Sequence, residues 1–541
     1  MASSSKDSKI IEYKDLIAQQ KEIIKNQQLL IDTLNGNIAS MQDTIANLNE
    51  KVDYLTKKLF GTSSEKISVT TGQLSLLEDS NVFDEAEQIV AESPNVDVTV
   101  KEHTRKAKST HEEIFKGIPV IEEIIPLPDN EKFCQECGTK LIPIGKEFIR
   151  DEFHYIPAKG ILIKLYRETY KCPTCSNASQ MAENIKFVKA HVPEALIPNS
   201  YASSSVIAWT IYEKYAKGMP LYRQEMAWKQ LGAGLNRATL ANWMIHCAKE
   251  YFKPMYDFFH RKLLLRKFLM ADETRVQVLH EPERKAETDS FMWLFRTGED
   301  GEPTILLYKY TETRAKFNAV AFLDGFTGYL ETDAYQGYNN LPGITRCCCW
   351  AHMKRYFHEA VPKDHKDDLN EPALQGELYC SKLFEYERIS KEKQHTFEQR
   401  KEFRLQKEKP VLDAFWLWLS KQKPRKNSKF DKAVNYALNH QQELMNYLED
   451  GRCSLSNNLS ENAIRPFTVG RKNWLFSDTP KGAEASAILY TMVEMAKAHN
   501  IKIFDYCKYV LDHRPDKNMT DDELEKLAPW NKDVIEKCKF Q

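Results

Sequence analysis

Three carboxylates in this chain stand where apolar segments give way. Asp272 closes the run KFLMAD, Asp333 closes GYLETD, and Glu461 lies in SNNLSENAIRP, where a helical pattern resumes. An acid at the mouth of a first strand, another at the mouth of a fourth and a glutamate on a later helix could converge on two divalent cations. Hard oxygen ligands suit Mg2+ or Mn2+, and Mg2+ keeps waters that a phosphate can displace. Two such ions can activate a water or a 3′-hydroxyl and stabilise the leaving oxygen of a phosphodiester. The chain holds 77 Asp and Glu in all. Most must be surface groups or helix caps, so strand order alone does not single out these three.

A second constellation is Cys134-x2-Cys137-x34-Cys172-x2-Cys175. Each pair can form a knuckle that puts two sulfurs on one ion. Four thiolates around tetrahedral Zn2+ leave no open position, so such a site is structural. Redox-active or unliganded thiols are the alternative. Of the 12 cysteines, three more are consecutive, Cys347, Cys348 and Cys349. Cys347 and Cys348 read as buried strand residues.

The elements that must position these groups change character along the chain. Residues 119–190 are β-rich, with a strand–turn–strand spacer between the cysteine pairs. From 193 to about 265 the pattern is helical. Within 220–246, two helices flank Gly232-Ala233-Gly234, and the second, beginning near Asn236, presents Arg237, Thr239 and Asn242 outward with Leu240 and Trp243 inward. A helix–turn–helix would use such a second helix in the major groove, although any helical hairpin reads the same way. Residues 268–350 switch to short apolar strands, with a helical pattern at 313–324. Residues 360–450 return to long charged helices, whose run KQKPRKNSKFDK (421–432) could track DNA, and 455–515 is helical again. Between Asp333 and Glu461 lie 127 residues, so 360–450 reads as an inserted helical subdomain.

The first sixty residues carry a heptad repeat. Position a is filled by Ile10, Ile17, Ile24, Ile31, Ile38, Ile45, Val52 and Leu59, and position d by Tyr13, Gln20, Gln27, Leu34, Met41, Leu48 and Leu55. This pattern predicts a parallel two-stranded coiled coil, hence a homodimer or higher oligomer through residues 10–60. An acidic linker (71–100) and a short basic stretch (101–108) follow it. No apolar run is long enough to span a bilayer, and the N-terminus lacks a signal-peptide layout, so a cytoplasmic protein is expected. The formal charge of −1 argues against a global positive field, but not against locally segregated charge.

The chain resembles the insertion-sequence-66 family of bacterial DDE transposases over nearly its full length. The stretches that carry the resemblance are KKLFGTSSEK (57–66), the cysteine pairs with FHYIPAKG (153–160), PLYRQ (220–224), ADET (271–274), ETDAYQGYN (331–339), CWAHMKRYF (349–357) and the long SNNLSENAIRPFTVGRKNWLFSDTPKGAEASAILYTMVE (456–494). Asp-Ala-Tyr at 333–335 replaces the usual Asp-Gly-Tyr.

The resemblance implies that Asp272, Asp333 and Glu461 are the catalytic acids, holding two Mg2+ or Mn2+ ions. It implies that Cys349 and His352 brace the active site without binding a separate metal. Arg465, Arg471 and Lys472 are then expected on DNA, alongside Arg237, Thr239 and Asn242. The implied reaction is cleavage at the terminal inverted repeats followed by 3′-OH strand transfer into target DNA, with small accessory proteins of the same element as further partners. A non-enzymatic DNA-binding regulator or a coiled-coil scaffold would be the rival to this reading. The expected architecture is multidomain α+β. It comprises a coiled coil (1–66), an acidic then basic linker (67–115), a zinc-ribbon-like four-cysteine module (116–190) and a helical DNA-binding region (191–264). An RNase-H-like α/β core follows in two parts (265–359 and 453–515) around a helical insertion (360–452), and residues 516–541 are expected as a tail.

Overall fold

The computed structural model describes residues 194–540 apart from 366–367, short pieces at 160–166, 169–171 and 187–189, and parts of 20–45. The four cysteines of the expected zinc site and the basic stretch at 101–108 lie outside the described residues. The chain divides into two units, Met1–Glu123 and Ile124–Gln541. In the first, the described pieces between 20 and 45 are helical. Their heptad residues Ile24, Ile31, Leu34, Ile38, Met41 and Ile45 are 49–66% exposed, so one chain leaves this apolar stripe uncovered.

In the second unit, β1 (Thr169–Lys171) and β2 (Phe187–Lys189) form an antiparallel pair. Four helices follow: α1 (Ser204–Ile211), α2 (Leu221–Gln230), α3 (Arg237–Cys247) and α4 (Lys253–Leu264). Ser203 caps α1 and Asn236 caps α3, each side chain accepting a backbone N–H that the first turn leaves unpaired. Their apolar residues, including Ile207, Leu240, Trp243, Phe258 and Phe259, are buried in one core with the sheet beyond.

That sheet contains β3 (Phe268–Val278), β4 (Asp289–Thr297), β5 (Leu306–Thr311), β6 (Gly328–Thr332) and β7 (Ile344–Cys348), in the order β5-β4-β3-β6-β7. β3, β4 and β5 are antiparallel neighbours, whereas β6 and β7 run parallel to β3 and to each other. Helix α5 (Lys316–Phe322) makes the crossover from β5 to β6. Gly328 sets the register of β6, because a Cβ there would lie 2.3 Å from the Lys267 carbonyl oxygen, which accepts from Tyr329 N–H.

β3 is longer than its parallel partner. β6 pairs with Phe268–Met270 alone, while β4 follows β3 from Leu269 to Gln277. The two-residue strand β8 (Phe476–Ser477) then pairs with Gln277 and Val278. Asp272 therefore does not end its strand, as the run KFLMAD suggested. It lies inside β3, where the parallel neighbour has stopped and the hairpin with β4 carries the strand onward.

Side chains alternate across β3, so Leu269 and Ala271 enter the core shared with α1–α4, whereas Phe268 and Met270 enter a second core on the other face. Helices α6 (Trp350–Ala360), α7 (Pro372–Glu392), α9 (Lys409–Leu419), α10 (Lys429–Asn439) and α11 (Gln441–Met445) build that second core, and the short α8 (Phe397–Phe403), which buries no residue, stands between α7 and α9. Its members include Trp350, Phe357, Leu383, Leu412, Phe415 and Leu444. The inserted helices thus cover one face of the sheet. The basic run 421–432 forms the turn between α9 and α10 and the start of α10.

Helix α12 (Asn458–Trp474) returns the chain to the sheet, and α13 (Pro480–Ala498) lies along edge strand β5. There Tyr308 N–H donates to Thr491 Oγ1 at 3.0 Å and Leu306 N–H to Met495 Sδ at 3.2 Å, so the open edge is satisfied by a helix. After α14 (Ile503–His513), residues 516–540 are not a loose tail. They form α15 (Asp521–Glu525) and α16 (Lys532–Cys538), and Leu524 of the first, Val534 of the second and Ala528 between them are buried in the first core. Apolar burial is the reason this end is folded. Among the described residues, no helix is long and apolar enough to cross a membrane.

Candidate active site

The three acids come from three different elements. Asp272 projects from β3 just past the end of β6, Asp333 is the first residue after β6, and Glu461 sits in the first turn of α12. The Asp272 carboxylate accepts from Glu273 N–H at 2.8 Å. Burial pushes the Asp272 carboxyl up to about 8; the Glu273 charge adds to this, that N–H opposes it, and the charges of Asp333 and Glu461 raise it further. The three expected acids therefore share one electrostatic environment. Glu484 and Glu494 lie on α13, where Glu494 pairs with Lys497 at 2.7 Å.

Hydrogen bonds fix Asp333 with the loop behind it, and hold Glu273 beside Asp272. Asp333 Oδ1 accepts from Tyr335 N–H at 2.9 Å, which turns the chain sharply after β6. Arg346, buried on β7, donates to Thr332 Oγ1 at 2.9 Å, to Tyr335 O at 3.1 Å, and to Asp333 O and Asn339 Oδ1. The loop of residues 333–339 is thus wrapped around one guanidinium. On the other side of β3, Glu273 accepts from Tyr338 Oη and from Arg314 Nε, the latter at 2.6 Å. Burial raises the Glu273 pKa, and Tyr338 and Arg314 pull it back. Arg314 lies over the Tyr335 ring at 3.4 Å and reaches Asp333 at 3.9 Å, so it joins two acids through one cation.

Cys349 and His352 approach Glu461 from the start of α6. His352 Nε2 is 3.5 Å from Glu461 Oε1, and ligand-capable atoms of Cys349, His352 and Glu461 all lie within 4.8 Å of one another. Burial lowers the His352 pKa, with Glu461 opposing, and burial drives the Cys349 thiol up to about 12. Cys347 and Cys348 are buried in the strand beneath, as their apolar surroundings predicted. Asn457, buried at the N-cap of α12, ties these parts together. Its backbone N–H donates to Cys349 Sγ at 3.2 Å and its side-chain amide to Ala271 O at 3.1 Å.

The expected DNA-contacting residues divide into two places. Glu461, Arg465 and Lys472 share one stripe of α12, at helical spacings of four and seven, and both cations are exposed. Arg471 is half-buried and turns toward β3, donating to Thr274 Oγ1 at 3.4 Å. On α3, Arg237 and Asn242 are exposed, Thr239 is half-buried with its N–H on Asn236, and Leu240 and Trp243 point inward. Asn242 also lines a groove of about 1050 Å3 with Lys249, Lys253, Lys481 and Lys517. Arg314, Arg346 and Asn457 were missed in the sequence, because each acts through partners that are distant in the chain.

Residues 199–485 match the family model described as Transposase IS66 family. Residues 131–176, which include all four paired cysteines, match the zinc-finger binding domain of transposase IS66. Residues 47–122 match a model described as Transposase C of IS166 homeodomain, overlapping the end of the heptad run. Among similar proteins, the uncharacterized protein y4qI of Sinorhizobium fredii is 26% identical over 494 residues, covering 88% of this chain and 87% of its own. The uncharacterized protein y4jD of the same organism is 26% identical over 431 residues, 77% and 81% of the two chains.

Proposed function

Because the chain belongs to the IS66 family of transposases, we propose that Asp272, Asp333 and Glu461 are its catalytic acids, in a DNA-cutting and strand-joining core of RNase-H-like architecture. The observation that carries this reading is that Asp272 is half-buried with its pKa raised to about 8, chiefly by burial and by the adjacent Glu273, and that the charges of Asp333 and Glu461 reach it and add to the rise. Like charges gathered from three elements are unfavourable without a cation to offset them. The sheet order β5-β4-β3-β6-β7, with three antiparallel strands followed by two parallel ones, supports the architecture.

The donor set fits divalent cations of the Mg2+ or Mn2+ class. All three groups are hard carboxylates, and Glu461 Oε1 is buried without a hydrogen-bond partner. Two ions held there would supply nucleophile activation and leaving-group stabilisation for phosphodiester hydrolysis and for 3′-OH strand transfer. The chain's own part is positioning. Arg346 holds the loop behind Asp333, Asn457 joins β3 to α12, and Cys349 with His352 braces the side of Glu461. Arg465 and Lys472 extend from the stripe of Glu461 toward the DNA backbone, with Arg471 set beside them against β3. Arg237, Thr239 and Asn242 serve recognition of the terminal inverted repeats. A structural Zn2+ on Cys134, Cys137, Cys172 and Cys175 holds the intervening module, and residues 10–60 pair two copies. The protein would act on the nucleoid, with target DNA and small accessory proteins of the element as further partners.

Incubation of the full chain with labelled terminal inverted repeats, with and without Mg2+, tests this reading. Metal-dependent nicking at the repeat ends is expected. Binding without any cleavage across a range of Mg2+ and Mn2+ concentrations would refute it.

A further inference from the structure

We propose that Cys349, His352 and Glu461 form a site for one soft divalent cation of the zinc and cadmium class. The proposal goes beyond the triad reading, with which it shares Glu461, and departs from the expectation that Cys349 and His352 bind no separate metal.

The spacing is a property of the fold. Cys349 caps α6 and His352 lies one turn inside it, while α12 brings Glu461 to the same point in its own first turn. A tetrahedral ion spaces its ligand atoms about 3.3–3.8 Å apart. The His352 Nε2 to Glu461 Oε1 distance of 3.5 Å already falls in that range, and all three ligand atoms lie within 4.8 Å of one another. Two buried atoms here lack hydrogen-bond partners, His352 Nδ1 and Glu461 Oε1, and an ion would take up the second. The Asn457 N–H aimed at Cys349 Sγ at 3.2 Å is a contact that strengthens when the sulfur becomes a thiolate.

The donor chemistry selects the class of ion. A sulfur, an imidazole nitrogen and one carboxylate oxygen suit zinc or cadmium, whereas Mg2+ requires oxygens. A thiolate, a carboxylate and a neutral imidazole also cancel the charge of a divalent ion, which a half-buried site requires. Binding releases the Cys349 proton to solvent, so affinity rises with pH. The fourth position stays open to water. Occupancy engages Glu461, the acid that the triad reading gives to Mg2+, so a soft ion here opposes Mg2+-dependent cleavage.

The test uses the full chain and Cd2+ as probe, read by the ultraviolet sulfur-to-cadmium charge-transfer band. The paired cysteines at 134, 137, 172 and 175 contribute equally in every variant. The wild-type chain should bind one Cd2+ more than Cys349→Ser. His352→Ala should weaken that additional ion at least tenfold, and Cys348→Ser should retain it. Identical Cd2+ titrations for wild type, Cys349→Ser and His352→Ala would overturn the proposal. If Cys349→Ser does not fold, the partly exposed His352→Ala decides alone, and unchanged affinity in it overturns the site. Asp272→Asn separates the two readings, because it should keep the additional Cd2+ while losing cleavage.

Discussion

The side-chain amide of Asn457 donates to the backbone carbonyl of Ala271 at 3.1 Å, one residue before Asp272. The Ala271 carbonyl lies just past the last β3 residue that β6 pairs with, so the start of α12 takes over where a strand has stopped. Asn457→Ala leaves that carbonyl unpaired and loosens Glu461 from Asp272. We expect about 1–3 kcal/mol less stability in urea unfolding and at least a tenfold loss of strand cleavage. Wild-type cleavage in a correctly folded Asn457→Ala protein would show that this tether does not position the acids.

Asp272→Asn should bind end DNA as wild type does and abolish strand transfer. The same substitution has a pH signature. The folded-state pKa of Asp272, about 8, lies above its ordinary 3.8, so the folded protein holds this proton more tightly than the unfolded chain. Its stabilising contribution is full below pH 4 and is lost as pH rises toward 8. Without added divalent ion, Asp272→Asn should therefore melt above wild type at pH 8, and the two should converge near pH 4. Mg2+ should raise the wild-type melting temperature at pH 8 more than that of the variant. Parallel melting curves across this window would contradict the assignment.

Arg314 holds the buried Glu273, whose side chain is 1% exposed, while its own guanidinium is one-third exposed. Removing it strands a carboxylate in the core, and Arg314→Ala should lose about 1–3 kcal/mol after allowance for solvent screening. Arg314→Lys should recover little, because an ammonium cannot stack on Tyr335 and engage Glu273 through a planar fork. Glu273→Gln in the Arg314→Ala background should restore part of the loss. Additive losses in the double variant would refute the pairing.

Ile31 and Ile38 occupy successive a positions, and both are exposed on the single chain. Ile31→Asp combined with Ile38→Asp should convert a dimer into a monomer by sedimentation velocity, with the main thermal transition of the catalytic unit unmoved. A dimer that survives both substitutions would place self-association elsewhere.

How much of this was legible in the sequence depended on the range of the interaction. Glu461 could be placed at a helix start because the local pattern of SNNLSENAIRP carries that information, and the inward Leu240 and Trp243 follow from helical spacing. Asp272 looked like a strand end because apolar residues stop there. The strand continues because residues 273–277, polar apart from Val276, pair with β4, a contact that hydrophobicity does not report. Arg346 and Asn457 left no local signal, since their partners lie on other elements. The final helices do carry one, in the buried apolar residues Leu524, Ala528 and Val534, but charged residues surround them and give the segment the look of a tail.

The sheet with a core on each face also sets an order of events during synthesis. Once β7 is complete, Phe268, Met270 and Cys347 present an apolar sheet face that the inserted helices have yet to cover. The helix bearing Glu461 lies beyond that insertion. At about 5–20 residues per second, the interval is on the order of ten seconds. During that time a growing chain carries two of its three acids and a sticky surface. On the triad reading it cannot yet cut DNA, it needs protection from its neighbours, and the helices that shield the surface are made before the third acid arrives.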